Sequence, residues 1–308
     1  MSVDLRPYAA ADLETLRALI ASPSLAPEFD VFTPPGKLEE TLGDSFFDRE
    51  SSWIGSLNGE PAGFCLTFVM PRAAGGAWAR MRLGVAEPFR RRGLGTALFE
   101  AAAGRLAARP VPGGLHELSL TAWLPNDGAR AFAIRHSFRH RRSEWRAERP
   151  LLPTPPLEWP PEIRVRVFDG SEALLTDWNE VYNQSFAAHD HFIPSTIELC
   201  REMAAGSGFL TDGLLLAHRG DRCVGFCRNE QIGSTGVVGM LGVVPEARGI
   251  GLGRAMLRWA LCFFAGKDVD RVGLLVAAAN PTALALYRSE GFEVVRTREI
   301  WDRPFGPA

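Results

Sequence analysis

No apolar run in this 308-residue sequence approaches the roughly 18 residues that a membrane-crossing helix needs. The opening stretch, MSVDLRPYAAADLETL, has no apolar core of the kind a secretory leader carries, so a cytoplasmic location is expected. Neither sign of charge is in excess. Lys and Arg number 34 against 36 Asp and Glu, a formal net charge of −2, so nothing points to a nucleic-acid or polyanionic partner. Cysteine is scarce, odd in number and without CxxC spacing. Cys65, Cys200, Cys223, Cys227 and Cys262 read as reduced thiols. His189, Asp190 and His191 stand without further ligands at useful spacing, so no metal is expected.

What is present is a composition fit for burial, 46% hydrophobic, in a length that suits two ordinary domains. The chain repeats itself. Arg90, Gly93 and Gly95 fall on Arg248, Gly251 and Gly253 at an offset of 158. Asn126–Phe138 falls on Asn280–Phe292 at an offset of 154. Two blocks in one order at nearly one spacing indicate tandem copies of one fold. Between them, RPLLPTPPLEWPPE (Arg149–Glu162) is too rich in proline for a helix or a central strand. It reads as a linker, giving domains at 1–148 and 163–308.

Each half shows an early helix, then strands joined by turns such as Asn58-Gly59, then a glycine loop opening a helix. A strand, a second helix and a last strand follow. The class is α/β in the mixed α+β sense: a mixed, largely antiparallel sheet flanked by helices. The basic stretch RHRRSEWRAER (Arg139–Arg149) reads as the exposed face of the first half's last strand.

The loop of the second half runs Arg248-Gly-Ile-Gly-Leu-Gly253 and feeds a helix whose buried stripe is expected at Leu252, Met256, Trp259 and Phe263. Glycines here can be a plain turn. They can also present backbone N–H groups at a helix N-terminus, where the dipole favours an anion, with Arg248 and Arg254 adding charge. A phosphate-binding Walker loop is excluded because no Gly-Lys-Ser/Thr follows. A Rossmann fingerprint is excluded because the spacing is G-x-G-x-G and the next strand ends in AAAN.

Arg-x-x-Gly-x-Gly after a strand, then Asn280, Ala283, Leu286, Tyr287, Gly291 and Phe292 at their spacing, together resemble the GNAT superfamily of acyl-CoA-dependent N-acyltransferases. The resemblance covers both halves, so two tandem GNAT domains are expected. It implies that acetyl-CoA is the co-substrate. Its pyrophosphate would lie on Arg248, Gly249, Ile250, Gly251, Leu252, Gly253 and Arg254. Its pantetheine arm would lie along Leu241, Gly242 and Val243, with Asn280 beside it. The matching positions in the first half are Leu83, Val85, Arg90, Arg91, Arg92, Gly93, Gly95 and Thr96.

The resemblance also implies that Tyr287 is the general acid that protonates the leaving thiolate. A phenol of pKa about 10 can do so at modest cost when held in place. The first half has Ala133 there and is expected to be non-catalytic. The base that frees an amine acceptor is expected at Glu230, with His189, Asp190 and His191 as alternatives. The acceptor is expected to be a primary amine of a small molecule or peptide.

Two other readings remain. One is a non-enzymatic acyl-CoA-binding or sensing protein. The other is a small-thiol biosynthetic acetyltransferase similar to the mycothiol synthase family, in which an acid stands on the strand before the second glycine loop, where this chain has Val237.

Overall fold

The computed structural model describes residues 2–29, 38–153, 156–189 and 192–306. They form two compact units, Met1–Ser143 with Arg298–Ala308, and Glu144–Thr297.

The first unit runs β1 (Val3–Pro7), α1 (Leu13–Ile20), α2 (Ala26–Phe29), α3 (Leu38–Gly43), β2 (Trp53–Leu57), β3 (Glu60–Pro71), β4 (Ala77–Val85), α4 (Leu94–Ala108), β5 (Leu115–Trp123), α5 (Asp127–Arg135) and the start of β6 (Arg139–Pro150). Strands β1 to β4 pair antiparallel in sequence order, and β4 pairs β5 in parallel. Asn58 and Gly59, both at positive φ (51° and 84°), close the β2–β3 hairpin as the sequence predicts. Helix α4 lies close on the sheet because Gly55 and Gly63 have no side chain. A Cβ at Gly55 would stand 2.7 Å from Leu94, and one at Gly63 3.3 Å from Leu98.

The second unit repeats the plan with β7 (Ile163–Val167), α6 (Glu172–Phe186), α7 (Ile197–Ala205), β8 (Leu214–Arg219), β9 (Arg222–Ile232), β10 (Thr235–Val243), α8 (Leu252–Ala265), β11 (Arg271–Ala277), α9 (Pro281–Ser289) and the start of β12 (Glu293–Pro304). Strands β7 to β10 are antiparallel, and β10 pairs β11 in parallel. Leu252 and Met256 of α8 are buried as expected, but Ala260 and Phe264 continue the stripe. Trp259 and Phe263 stack on each other at its edge. Glycines in the sheet explain the rotation. A Cβ at Gly236 would come within 2.6 Å of the Phe264 ring, and one at Gly225 within 3.1 Å of Met256.

The sixth strand of each unit comes from the other copy. Residues Glu144–Pro150 of β6 pair antiparallel with β11. Residues Arg298–Pro304 of β12 pair antiparallel with β5. The units therefore divide at Ser143/Glu144 and not at residue 148, and Arg149 and Pro150 end a strand instead of opening a linker. The basic stretch is correspondingly more than an exposed face. Ala147 is 1% exposed and Arg149 6%, and Trp145 packs on the second unit's core. Each incoming strand carries an arginine that ties down a helix end. Arg149 Nη1 donates to the Glu290 carbonyl at 2.7 Å, and Arg303 Nη1 to the His136 carbonyl at 3.1 Å.

Candidate active site

The glycine loop of the second unit leaves β10 through a turn at Pro245–Ala247. Gly249 (φ 81°) and Gly251 (φ 88°) take the left-handed conformation that side chains resist. Around both, the space a Cβ would enter is open. The first helical bond of α8 runs from Ala255 N–H to the Gly251 carbonyl, 3.0 Å. The amides of Leu252, Gly253 and Arg254 consequently have no intrahelical acceptor, and they stand at the positive end of a 14-residue helix. Packing would admit a Cβ at Gly253, which would lie 3.7 Å from Leu286, and Ile250 is exposed.

The two loop arginines have protein partners. Arg248 donates to the Val243 carbonyl at 3.1 Å and the Ser185 carbonyl at 3.2 Å, so it braces the loop against its own strand and α6. Arg254 pairs at 2.7 Å with Glu290, whose buried carboxylate also takes 3.0 Å bonds from Arg258. The donors left facing outward in the loop are mainly those of the backbone.

The register of the sheet opens a notch beside this loop. Strands β10 and β11 are paired only from Thr235/Arg271 to Val238/Leu274. Beyond that, Met240–Val243 and Leu275–Ala277 part, and β10 carries a bulge between Val238 and Met240. Alternation along β10 turns Leu241 toward α8 and Gly242 toward α6. A Cβ at Gly253 would lie 3.9 Å from Leu241, and one at Gly242 would lie 3.0 Å from Ser185. The Ser185 hydroxyl is buried there without a hydrogen-bond partner among the described residues.

Tyr287 sits on α9, 8% exposed, with its ring edge-on to Phe292. Burial, with a smaller push from the neighbouring Cys227, raises its hydroxyl to about 12, so it keeps its proton throughout the neutral range. Asn280 caps α9 by accepting from Ala283 N–H at 3.1 Å, and its amide NH₂ has no partner among the described residues.

Glu230 lies on the opposite face of the sheet. It stands across from Val237 on β10, pairs with Arg228 at 2.5 Å, and projects over Gly239. A Cβ at Gly239 would come within 2.6 Å of its Oε1. Cys227, whose charge would oppose that of a Tyr287 phenolate, pairs with Leu241 and shares its α8-facing side. The two candidates thus lie on opposite faces of the sheet, Tyr287 with Cys227 on the α8 side and Glu230 on the other. His189 packs edge-on against Phe186; Asp190 and His191 lie outside the described residues. The sequence reading did not single out Gly239, Arg228 or Glu290, because no local pattern marks a cross-strand seat or a buried pair.

In the first unit, Gly93 (φ 85°) again opens a helix, and Ala97 N–H donates to its carbonyl at 3.0 Å. Arg91 (φ 62°) is forced into the left-handed conformation that Gly249 adopts freely in the second unit. Arg90 repeats the brace, bonding the Val85 and Ser24 carbonyls at 2.9 Å each. Arg92 is exposed, and Leu83 and Val85 face α4 near Gly95. Thr96 and His136, 3.2 Å apart, replace the Arg254–Glu290 pair. Strands β4 and β5 part after Met81/Leu120. Ala133 is buried where the other copy has Tyr287. Here the notch is claimed from within: Glu28 accepts from Trp123 N–H at 3.2 Å and from the Asn126 amide at 3.1 Å. Asn126 is the counterpart of Asn280.

Comparison with known proteins agrees with this geometry. The acetyltransferase (GNAT) family model matches residues 20–138, and a second acetyltransferase (GNAT) domain model matches 211–294. A mycothiol acetyltransferase from Acidothermus cellulolyticus is 33% identical over 236 residues, 71% of this chain and 69% of the relative. One from Geodermatophilus obscurus is 31% identical over 238 residues, 73% of this chain and 74% of the relative. Among solved structures, a GCN5-related N-acetyltransferase from Sphaerobacter thermophilus aligns with a TM-score of 0.76 at 23% identity, covering 99% and 96% of the two chains. A tandem GNAT protein from the clavulanic acid biosynthesis pathway aligns with a TM-score of 0.72 at 18% identity over the full length of both. At such identities these structures speak for the fold alone. Sequence and fold together place the chain in the GNAT family of acetyltransferases, as a member with two GNAT domains in tandem.

Proposed function

We infer that the protein transfers an acetyl group from acetyl-CoA to the primary amine of a small molecule, and that the second unit does the chemistry. The observation that carries this is the asymmetry at one position. A buried tyrosine, Tyr287, stands on the second unit's α9 where the buried Ala133 stands on the first unit's α5. The residues of the second notch suit acetyl-CoA. The amides from Leu252 to Arg254 suit the pyrophosphate. The unpaired edge of Met240–Val243 and the Asn280 amide suit the amides of the pantetheine arm. Bound there, acetyl-CoA supplies an acetyl thioester.

Glu230 takes the proton from the incoming ammonium and so frees its lone pair. The amine nitrogen bonds to the acetyl carbon as the carbon–sulfur bond breaks. Tyr287 gives its proton to the departing sulfur, and its high pKa keeps that proton available at neutral pH. The proton shed by the new amide nitrogen returns to the Tyr287 oxygen and Glu230 passes its own to solvent, so the products are the acetamide, the free thiol and one proton. Glu230 supports this reading because its carboxylate occupies the space over Gly239 beside Val237. It stands on the neighbouring strand, facing the position where the mycothiol synthase family carries its acid. The relatives make the amine of the mycothiol precursor the first acceptor to test. The experiment is release of free coenzyme A thiol from acetyl-CoA by the purified protein, with that precursor and a panel of simple amines. Turnover with any of them supports the reading. Acetyl-CoA binding with no amine-dependent release defeats it.

A further inference from the structure

The first unit carries positive charge on the sheet face where the second carries Glu230. Alternation along β4 turns Leu83 and Val85 toward α4 and puts Arg80, Arg82 and Gly84 on the other face. Arg82 corresponds to Met240 at the offset of 158. Its guanidinium lies over the Phe68 ring, 4.9 Å from the centroid. Its Nη1 is sealed from solvent and has no hydrogen-bond partner among the described residues. Arg80, over Trp78, and Arg298, over Trp123, add like charge to the surroundings of Arg82, and Asp44 adds opposing charge.

A half-buried guanidinium with a sealed, unbonded N–H group beside like charges is costly unless an anion joins it. Burial first, and then Arg80 and Arg298, pull Arg82 down to about 9. The aromatic ring covers its flat face, so the partner has to meet the N–H groups at the edge, in the guanidinium plane. Carboxylate and phosphate oxygens do this. An ammonium acceptor would be repelled from the same place.

We propose that the face of the first unit's sheet turned away from α4 is an anion-binding site in which Arg82, flanked by Arg80 and Arg298, holds the carboxylate or phosphate group of a small ligand. Acetyl transfer needs no such site, so it stands independently of the function inferred for the second unit.

The test uses the full chain and two probes, inorganic phosphate and succinate, against sodium chloride at matched ionic strength. At least one probe is expected to raise the wild-type melting temperature by about 3 °C or more at saturation, with saturable binding by calorimetry. A response to phosphate alone assigns a phosphorylated ligand, and a response to succinate alone a carboxylate one. Arg82→Met is expected to weaken binding at least tenfold. Arg82→Lys, which keeps the charge and loses the fork, is expected to do the same and serves if the methionine variant does not fold. The glycine loops can also take phosphate, so dependence on Arg82 is decisive. Equal binding by wild type and variants, or no response beyond chloride to either probe, overturns the proposal.

Discussion

Arg149 donates a 2.7 Å hydrogen bond to the main-chain carbonyl of Glu290, a residue 141 positions further on and belonging to the same compact unit. The bond fastens the C-terminal end of the helix that carries Tyr287. It exists only because β6 leaves the first copy and completes the second unit's sheet.

The strand exchange predicts which fragments fold. A chain of residues 144–297 holds a complete second unit and is expected to fold with a cooperative thermal transition. A chain of residues 163–308 lacks Glu144–Pro150 and carries Arg298–Pro304 without its partner strand. It is expected to aggregate or melt without cooperativity. Circular dichroism and light scattering compare the two directly. Equal folding of both would show that the exchanged strands contribute little.

Tyr287→Phe removes one hydroxyl from a buried ring. Acetyl-CoA affinity should persist, while kcat falls roughly 100-fold or more. A stability effect follows from the same group. The hydroxyl is raised from about 10 to about 12 on folding, so its contribution is complete below pH 10 and is lost as pH rises toward 12. The variant should therefore lose less stability than wild type across that interval, measured by urea titration. Matching kinetics and matching alkaline profiles would leave Tyr287 as packing alone.

Glu230 and Gly239 should behave as one feature. Glu230→Gln keeps the shape and removes the basic oxygen, so kcat/KM should fall at least 100-fold at neutral pH with folding intact. Gly239→Ala brings a Cβ within 2.6 Å of Oε1 and must displace the carboxylate. Its turnover should drop in parallel, with unchanged acetyl-CoA affinity. A fully active Gly239→Ala would separate Glu230 from the chemistry.

The two glycine loops should respond differently to the same change. Gly251→Asp and Gly93→Asp each place a side chain at positive φ (88° and 85°) in open space, at a strain of about 1–2 kcal/mol. Gly251→Asp should abolish acetyl-CoA binding and turnover. Gly93→Asp should leave turnover within about twofold of wild type, because Ala133 offers no proton and Glu28 already bonds the groups at that notch. Calorimetry and the thiol-release assay read both variants. A comparable loss of turnover in Gly93→Asp would mean that the halves share the work.

Much of this was legible in sequence, where the chemistry is local. Gly249 and Gly251 mark their own backbone conformation, Asn126 and Asn280 their own helix caps, and Asn58-Gly59 its own turn. The rest depends on register and burial. A strand reads the same whichever sheet it joins, so the proline-rich stretch after β6 looked like the boundary while the exchange stayed hidden. Arg248 has the charge of a phosphate ligand, but only the fold shows its guanidinium spent on the Val243 and Ser185 carbonyls. Glu230 could be named from its charge; its seat depends on a glycine on the next strand. Nothing near Arg82 in sequence distinguishes it from the other arginines of a chain rich in them.

The exchanged strands also bear on how a gene of this kind can change. After a duplication, a copy that has lost its acid can ordinarily be deleted at no cost to the one that keeps it. On the function proposed above, the copy with Ala133 still supplies the strand that the other unit's sheet takes up, so removing it would take Glu144–Pro150 away as well. Under that reading a first copy without chemistry stays structurally indispensable, free to acquire another ligand but not free to disappear.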